Sequence, residues 1–247
     1  VTSLPLRCFD MAAQHELALH TLQIGSNVGK IVVRIAHRPS ASGGHAVTGG
    51  TGGLGLLTGR WLAQHGASTL LLASRSGLLA RNATAGWEAV CETQAAATLE
   101  RCDAGAATHV YQLLARAPPL TGVWHAAGVL ADGVLSAQGA AALACVCAPK
   151  VHCAWTLQRA CAPMRVRILA LFSSVAALLG GAGQANYSAA NACLDALSSY
   201  PRLCARAATS LQWGAWAEVG MAARGAAAER MAAMEAVSGF GRVSLAR

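Results

Sequence analysis

The stretch Thr48-Gly49-Gly50-Thr51-Gly52-Gly53-Leu54-Gly55 constrains this chain more than any other. It stands between a short apolar strand, Ala46-Val47-Thr48, and an amphipathic helical pattern from Leu54 to His65 that stops before Gly66. Glycine adopts positive φ without steric cost and lets a backbone approach a ligand closely. The helix N-terminus then offers unbonded N–H groups and the positive end of its dipole to an anion. Gly50, Gly52 and Gly55 match G-x-G-x-x-G, and Gly49, Gly53 and Gly55 match T-G-x-x-x-G-x-G. With a strand before it and a helix after it, the motif reads as a dinucleotide phosphate cradle rather than a glycine-rich tight turn.

The pattern around this turn alternates strand and helix. Strands are expected at Thr69–Ala73, Thr98–Cys102, Gly122–His125, Val166–Phe172 and Thr209–Trp213. Helices are expected at Trp87–Ala97, Thr108–Ala117 and Tyr187–Ser199, with two more on either side of Pro149. Such alternation gives a doubly wound parallel sheet with helices on both faces. Residues 1–36 read as a separate element, with a short helical stretch through Ala13, Leu17, Leu19 and Leu22 and a strand at Ile31-Val32-Val33. Residues 37–44 read as a linker, rich in Pro, Ser and Gly. The domain of interest is then 45–247, and the start at Val1 reads as a piece of something longer.

Composition narrows the class. Hydrophobic residues make up 54% and charged residues 12%, which excludes a disordered chain. The formal charge is +8, but the basic residues are scattered, and Lys30 and Lys150 are the only lysines. That pattern does not indicate nucleic-acid binding; it suits phosphorylated cofactors or an acidic carrier protein. The uncharged stretch between Arg167 and Asp195 holds Ser173, Ser174, Asn186, Tyr187 and Asn191, so it reads as strand, turn and buried helix and not as a membrane span. The nine cysteines form no CxxC pair, so no metal site is expected. They read as small buried thiols of a reducing, cytoplasmic compartment.

Two features add chemistry to the cradle. Ser74-Arg75 ends the second strand, and no acidic residue occurs between Gly55 and Arg81. An acid there would bind a ribose 2′-OH, whereas arginine suits a 2′-phosphate, so NADPH is favoured over NADH. Downstream, Ser173-Ser174 closes the most apolar strand, Tyr187 opens a helix, and Asn191 lies one turn beyond it on the same face. Lys150 follows Pro149. Hydride attack on a ketone builds negative charge on oxygen, which calls for a proton donor and placed hydrogen-bond donors. A tyrosine of ordinary pKa, near 10, needs a neighbouring ammonium to favour its phenolate.

With Cys102-Asp103, His125-Ala126-Ala127-Gly128-Val129, Pro149-Lys150, Gly183-Gln184-Ala185-Asn186-Tyr187 and Trp213-Gly214-Ala215-Trp216, these motifs resemble the ketoreductase domains of type I polyketide synthases and animal-type fatty acid synthases. Those domains lie within the short-chain dehydrogenase/reductase superfamily, whose ordinary members carry Tyr-x-x-x-Lys. Here the helix carries Tyr-x-x-x-Asn and the lysine sits upstream, an exchange associated with synthase ketoreductases. The resemblance implies a Rossmann-type fold and NADPH-dependent reduction of a β-ketoacyl group on the phosphopantetheine of an acyl carrier protein. It implies Tyr187 as proton donor, Ser174 as donor to the carbonyl oxygen, Lys150 as the ammonium and Asn191 as the holder of that lysine or of a relay water. Thr48 to Gly55, Ser74, Arg75, Cys102, Asp103, His125, Ala126, Ala127 and Gly128 are expected around the cofactor, with Asp103 near the adenine. Asp132, Ser173 and Asn186 are expected on the substrate side, Ser173 being the more structural of the serine pair.

Leu130-Ala131-Asp132 keeps half of a Leu-Asp-Asp motif, and Leu179 replaces the tryptophan of the opposite stereochemical class. This implies the D (3R) alcohol. Met221–Met234 resembles a lid over the substrate, although its alanine-rich helical pattern is equally ordinary as packing. Leu4-Pro5, Phe9, Ile24-Gly25 and Gly29 to Val33 resemble the closing segment of an enoylreductase domain. The expected partners are therefore other domains of a megasynthase, with dimerisation through the parent. A free-standing dehydrogenase acting on small carbonyls, and a fragment stable only in its parent, stand as alternatives.

Overall fold

A computed structural model describes residues 6–25, 30–34, 41–199, 208–221, 223 and 241–245. The chain divides into two compact units, Val1–Ser40 and Ala41–Arg247. The first is a β-α-β unit. Strand β1 (Leu6–Asp10) pairs in parallel with β2 (Lys30–Arg34), and α1 (Met11–Gln23) lies between them in sequence. The sequence reading has the helix and β2 but misses β1, whose Leu-Arg-Cys-Phe-Asp lacks an apolar alternation.

The second unit carries a six-stranded sheet, all of whose pairings are parallel. In chain order it runs β3 (Gly43–Thr48), α2 (Gly53–Gln64), β4 (Ala67–Ser74), α3 (Thr84–Cys91), β5 (Ala96–Arg101), α4 (Ala107–Arg116) and β6 (Leu120–His125). There follow α5 (Ala140–Cys147), a π-helical turn (Ala148–His152), α6 (Cys153–Cys161), β7 (Ile168–Ser174), α7 (Ala176–Leu179), α8 (Ala185–Ser198) and β8 (Ala208–Trp213). The strand order is β5-β4-β3-β6-β7-β8. The chain winds outward from β3 on one side, then crosses to β6 and winds outward on the other. This is the Rossmann-type doubly wound sheet, with its switch point between β3 and β6.

The period of a strand divides the core in two. Ala46, Leu71, Val123, Leu169 and Leu171 face a cluster completed by Val110 and Leu114 of α4, Leu157 of α6 and Leu194 of α8. The alternate residues Val47, Leu70 and Leu72 face a second cluster with Leu56 and Leu62 of α2 and Val90 of α3. The fold class read from the sequence therefore stands.

Several boundaries shift. The expected helix Trp87–Ala97 ends at Cys91. Thr93 accepts from Ala95 N and donates to Val90 O, forming a local turn that releases Ala96 and Ala97 into β5. Gly43 and Gly44 of the expected linker belong to β3, while 35–40 lie outside the described residues. The expectation of buried thiols holds for Cys102, Cys153 and Cys161, but Cys8, Cys91, Cys145 and Cys193 are exposed. The helical stretch 140–161 has the length and mean hydropathy, 1.3, of a membrane span. However, its inner face supplies Cys153, Ala154 and Leu157 to the core and buries Lys150, so it packs as a layer of this domain.

Leu72 sits fully buried at the middle of β4. Leu72→Ala should cost about 2–5 kcal/mol of stability through lost burial and a residual cavity. Chemical denaturation should show this as a lower midpoint with an unchanged slope.

Candidate active site

Three strands end side by side at the switch point: β3 at Thr48, β6 at His125 and β7 at Ser174. The glycine turn leaves β3 there. Gly49 has φ +70, and a Cβ on it would stand 2.8 Å from Ala127 N and 2.9 Å from Ala126 O, both immovable backbone. The turn is pinned by Gly50 N donating to Ala73 O (3.0 Å) and Ala126 N donating to Thr48 O (3.0 Å). Gly52 caps α2 without a side-chain hydrogen bond, so the cap residue leaves the N–H groups of the first turn at Gly53, Leu54 and Gly55 uncapped.

The neighbouring loop is tied to this turn by Ala80 N donating to Thr51 O (2.9 Å). Ser74 accepts from Gly77 N, and Arg75 beside it is exposed. Cys102 donates its backbone N–H to Ser74 O (2.8 Å), while its thiol is turned into the core and pushed up to about 11 by burial. Asp103 Oδ1 accepts from Gly105 N (2.9 Å), which shapes its own loop.

Pro149 lacks an N–H and lies in the π-helical turn, where the extra residue resets the helix face. Lys150 is 3% exposed. Its Nζ donates to Phe172 O (3.0 Å) and Asn191 Oδ1 (2.8 Å), and stands 5.3 Å from the centroid of the Tyr187 ring. Burial lowers its pKa to about 8, with Asp195 acting in the opposite sense. Gly128 leaves room for it, since a Cβ there would meet Lys150 Cε at 2.9 Å. Asn191 Nδ2 donates in turn to Tyr187 O (2.8 Å).

An ammonium beside a phenol is expected from the sequence to lower the tyrosine's pKa. The structure differs. Burial raises Tyr187 and is the largest influence on it; hydrogen bonds from Asn191 and Ser174 pull the other way without prevailing. Tyr187 is thus a protonated phenol at neutral pH, beside the hydroxyl of Ser174.

Lys150, Ser174, Tyr187 and Asn191 are therefore brought together. Ser173 and Asn186 are placed differently from the substrate role expected of them. Ser173 is buried and donates to Asn191 O (3.2 Å). Asn186 is buried, donates to Ala131 O (2.7 Å) and accepts from Tyr187 N (2.7 Å). Both orient α8. Asp132 is part-buried and accepts from Gln184 Nε2 at 3.3 Å. Two glutamines passed over in the sequence reading fasten this loop to α8. Gln138 donates to Gly133 O and Gly183 O and accepts from Asn186 N, and Gln184 holds Asp132. Gln184 lies inside the quoted stretch before Tyr187; nothing in local spacing marks Gln138. The expected lid, Met221–Met234, lies outside the described residues apart from Met221 and Ala223.

Residues 43–218 match the family model for the KR domain. The polyketide synthase GfsB of Streptomyces halstedii is 42% identical over 221 residues, covering 88% of this chain and 4% of that protein. The erythronolide synthase EryA2 of Saccharopolyspora erythraea is 37% identical over 217 residues, covering 87% of this chain and 6% of that protein. Among solved structures, A-type ketoreductases from a modular polyketide synthase superimpose with a TM-score of 0.73 at 38% identity, over 78% of this chain and 42% of theirs. The chain thus spans a small part of these synthases and under half of the compared ketoreductase structure.

Asn191→Leu preserves the volume but removes the acceptor of a buried ammonium. The folded state should lose about 1–3 kcal/mol, measurable by denaturation at neutral pH. The Lys150 pKa should fall further below about 8, because the charged form loses a partner.

Proposed function

The chain belongs to the KR-domain family of polyketide synthases, and from that premise we propose that it reduces a β-ketoacyl thioester on an acyl carrier protein to the β-hydroxyacyl form with NADPH. The observation that carries this reading is the buried cluster Lys150–Asn191–Tyr187, with Ser174 against the phenol, at the same sheet edge as the glycine turn. A backbone cradle that a Cβ at Gly49 would fill, and a helix start with no side-chain cap, fit a pyrophosphate. Arg75 is free of an acidic neighbour in sequence and would hold a 2′-phosphate. NADPH would supply a hydride to the carbonyl carbon.

The chain's own residues would manage the oxygen. Ser174 and Tyr187 donate hydrogen bonds to it, and Tyr187 delivers the proton as charge develops. The raised phenol keeps that proton until it is needed. Lys150 loses its proton as pH rises through about 8, so the reduction should slow above that pH. Exposed Val134, Leu135, Leu178 and Leu179 lie on the two segments joined by Gly133 N donating to Gly183 O, and offer an apolar surface to the acyl chain. The formal charge of +8 favours an acidic carrier protein in the cytoplasm. On the same reading β1-α1-β2 closes an enoylreductase domain of the parent synthase, which would also supply any homodimer.

Tyr187→Phe should lower kcat with a β-ketoacyl thioester by about 10²–10⁴-fold. It should leave intact the rise in melting midpoint on adding NADPH, since that shift depends on binding to the folded state. NADPH should raise the midpoint more than NADH, and Arg75→Ala should abolish the difference. No shift with either nucleotide would refute the reading.

A further inference from the structure

We infer that His125 is a positioning residue that locks the catalytic lysine to the cofactor turn, touching neither cofactor nor substrate. This deepens the proposed reduction and rests on that reading for its consequence, though not for its geometry. The sequence reading groups His125 with the cofactor residues. In the structure it is 1% exposed, so its ring cannot meet a ligand.

Both ring nitrogens are engaged. Nε2 lies 2.9 Å from Lys150 O, and Nδ1 lies 2.7 Å from Thr48 Oγ1. A carbonyl oxygen only accepts, so Nε2 carries the proton. Nδ1 in the neutral ring is then bare and accepts from the Thr48 hydroxyl. Burial, and the Lys150 ammonium on the same side, hold the ring neutral; its pKa is lowered to about 4, against the opposing pull of the Lys150 carbonyl. The ring is thus an uncharged spacer with a donor at one end and an acceptor at the other.

What it joins gives it meaning. Thr48 is the first residue of the glycine turn, and its carbonyl holds Ala126 N. Lys150 is held at its head by Phe172 O and Asn191 Oδ1, and at its backbone by His125. The π-helical turn around Lys150 contains Pro149, which donates no backbone bond. The ring therefore fixes where the lysine stem begins, and the ammonium then reaches Asn191 and Tyr187.

The test has two arms. Long-range nitrogen-15 spectra of the imidazoles should show His125 with one protonated nitrogen, Nε2, and one bare nitrogen, unchanged from about pH 8 to about pH 5. A doubly protonated ring in that range, or an Nδ1–H tautomer, overturns the assignment. The Lys150 side chain is titrated in parallel by carbon-13 NMR, a readout that needs no turnover. His125→Asn keeps a partner for Thr48 but cannot reach Lys150 O. Its lysine should gain solvent and its pKa climb from about 8 toward 10.5, with the high-pH limb of activity moving with it. His125→Gln restores an N–H toward Lys150 O and should hold both near the native value.

In His125→Asn, kcat should fall by roughly 10-fold to 100-fold, with KM for the thioester nearly unchanged. Equal behaviour of the two variants, with the lysine titration unmoved, would reduce His125 to core packing and overturn the proposal. A native protein that shows the tautomer and the lysine shifts but reduces no β-ketoacyl thioester would refute the proposed function and leave the positioning intact.

Discussion

A buried ammonium organises this domain. An isolated charge taken out of water costs several kcal/mol unless it is paired and hydrogen-bonded. Lys150 is almost wholly buried and meets that cost with a backbone carbonyl, an amide oxygen and an aromatic face. The partners come from two elements: Phe172 from β7, Asn191 and Tyr187 from α8. The lysine itself comes from the π-helical turn between α5 and α6. Three elements must therefore assemble correctly before the charge is tolerable, and in doing so they assemble the site.

Burial also sets the acid–base order. It raises the phenol of Tyr187 above its ordinary 10 and lowers Lys150 to about 8. The usual expectation, an ammonium stabilising a neighbouring phenolate, is outweighed because both groups have lost water. The lysine is then the stronger acid of the pair. The phenol of Tyr187 is thus held in its protonated form.

What the sequence made legible was local. The glycine turn, the alternation of strand and helix, and Tyr187 with Asn191 at helical spacing all lie within short windows, and the sheet follows from them. What escaped depends on distance in sequence. The bond between Thr48 and His125 spans 77 residues, and the tie of Gln138 to Gly183 spans 45. No periodicity reports such pairs. His125 could be placed near the cofactor from its motif, but the direction of its ring, into the protein, needed coordinates. The same holds for Ser173 and Asn186. Their polarity near Tyr187 is as consistent with bracing α8 as with touching substrate, and the hydrogen bonds show bracing. β1 escaped for another reason: its pairing with β2 depends on a return crossover and not on its own pattern.

Register explains why these groups meet at one edge. Thr48 pairs with His125 across β3 and β6, and His125 pairs with Leu171 across β6 and β7. Directly paired residues project to the same face, here the face covered by α4, α6 and α8. That puts the Thr48 hydroxyl and the His125 ring side by side, with the Ser173 hydroxyl two residues beyond Leu171 on the same face, beneath the segments that carry Lys150 and Asn191. Phe172, one residue beyond Leu171, turns its carbonyl to the lysine. A slip of one residue in β6 would turn His125 to the opposite face and deprive Lys150 of its backbone anchor. The buried leucines and valines that fix the register in both clusters therefore control the site.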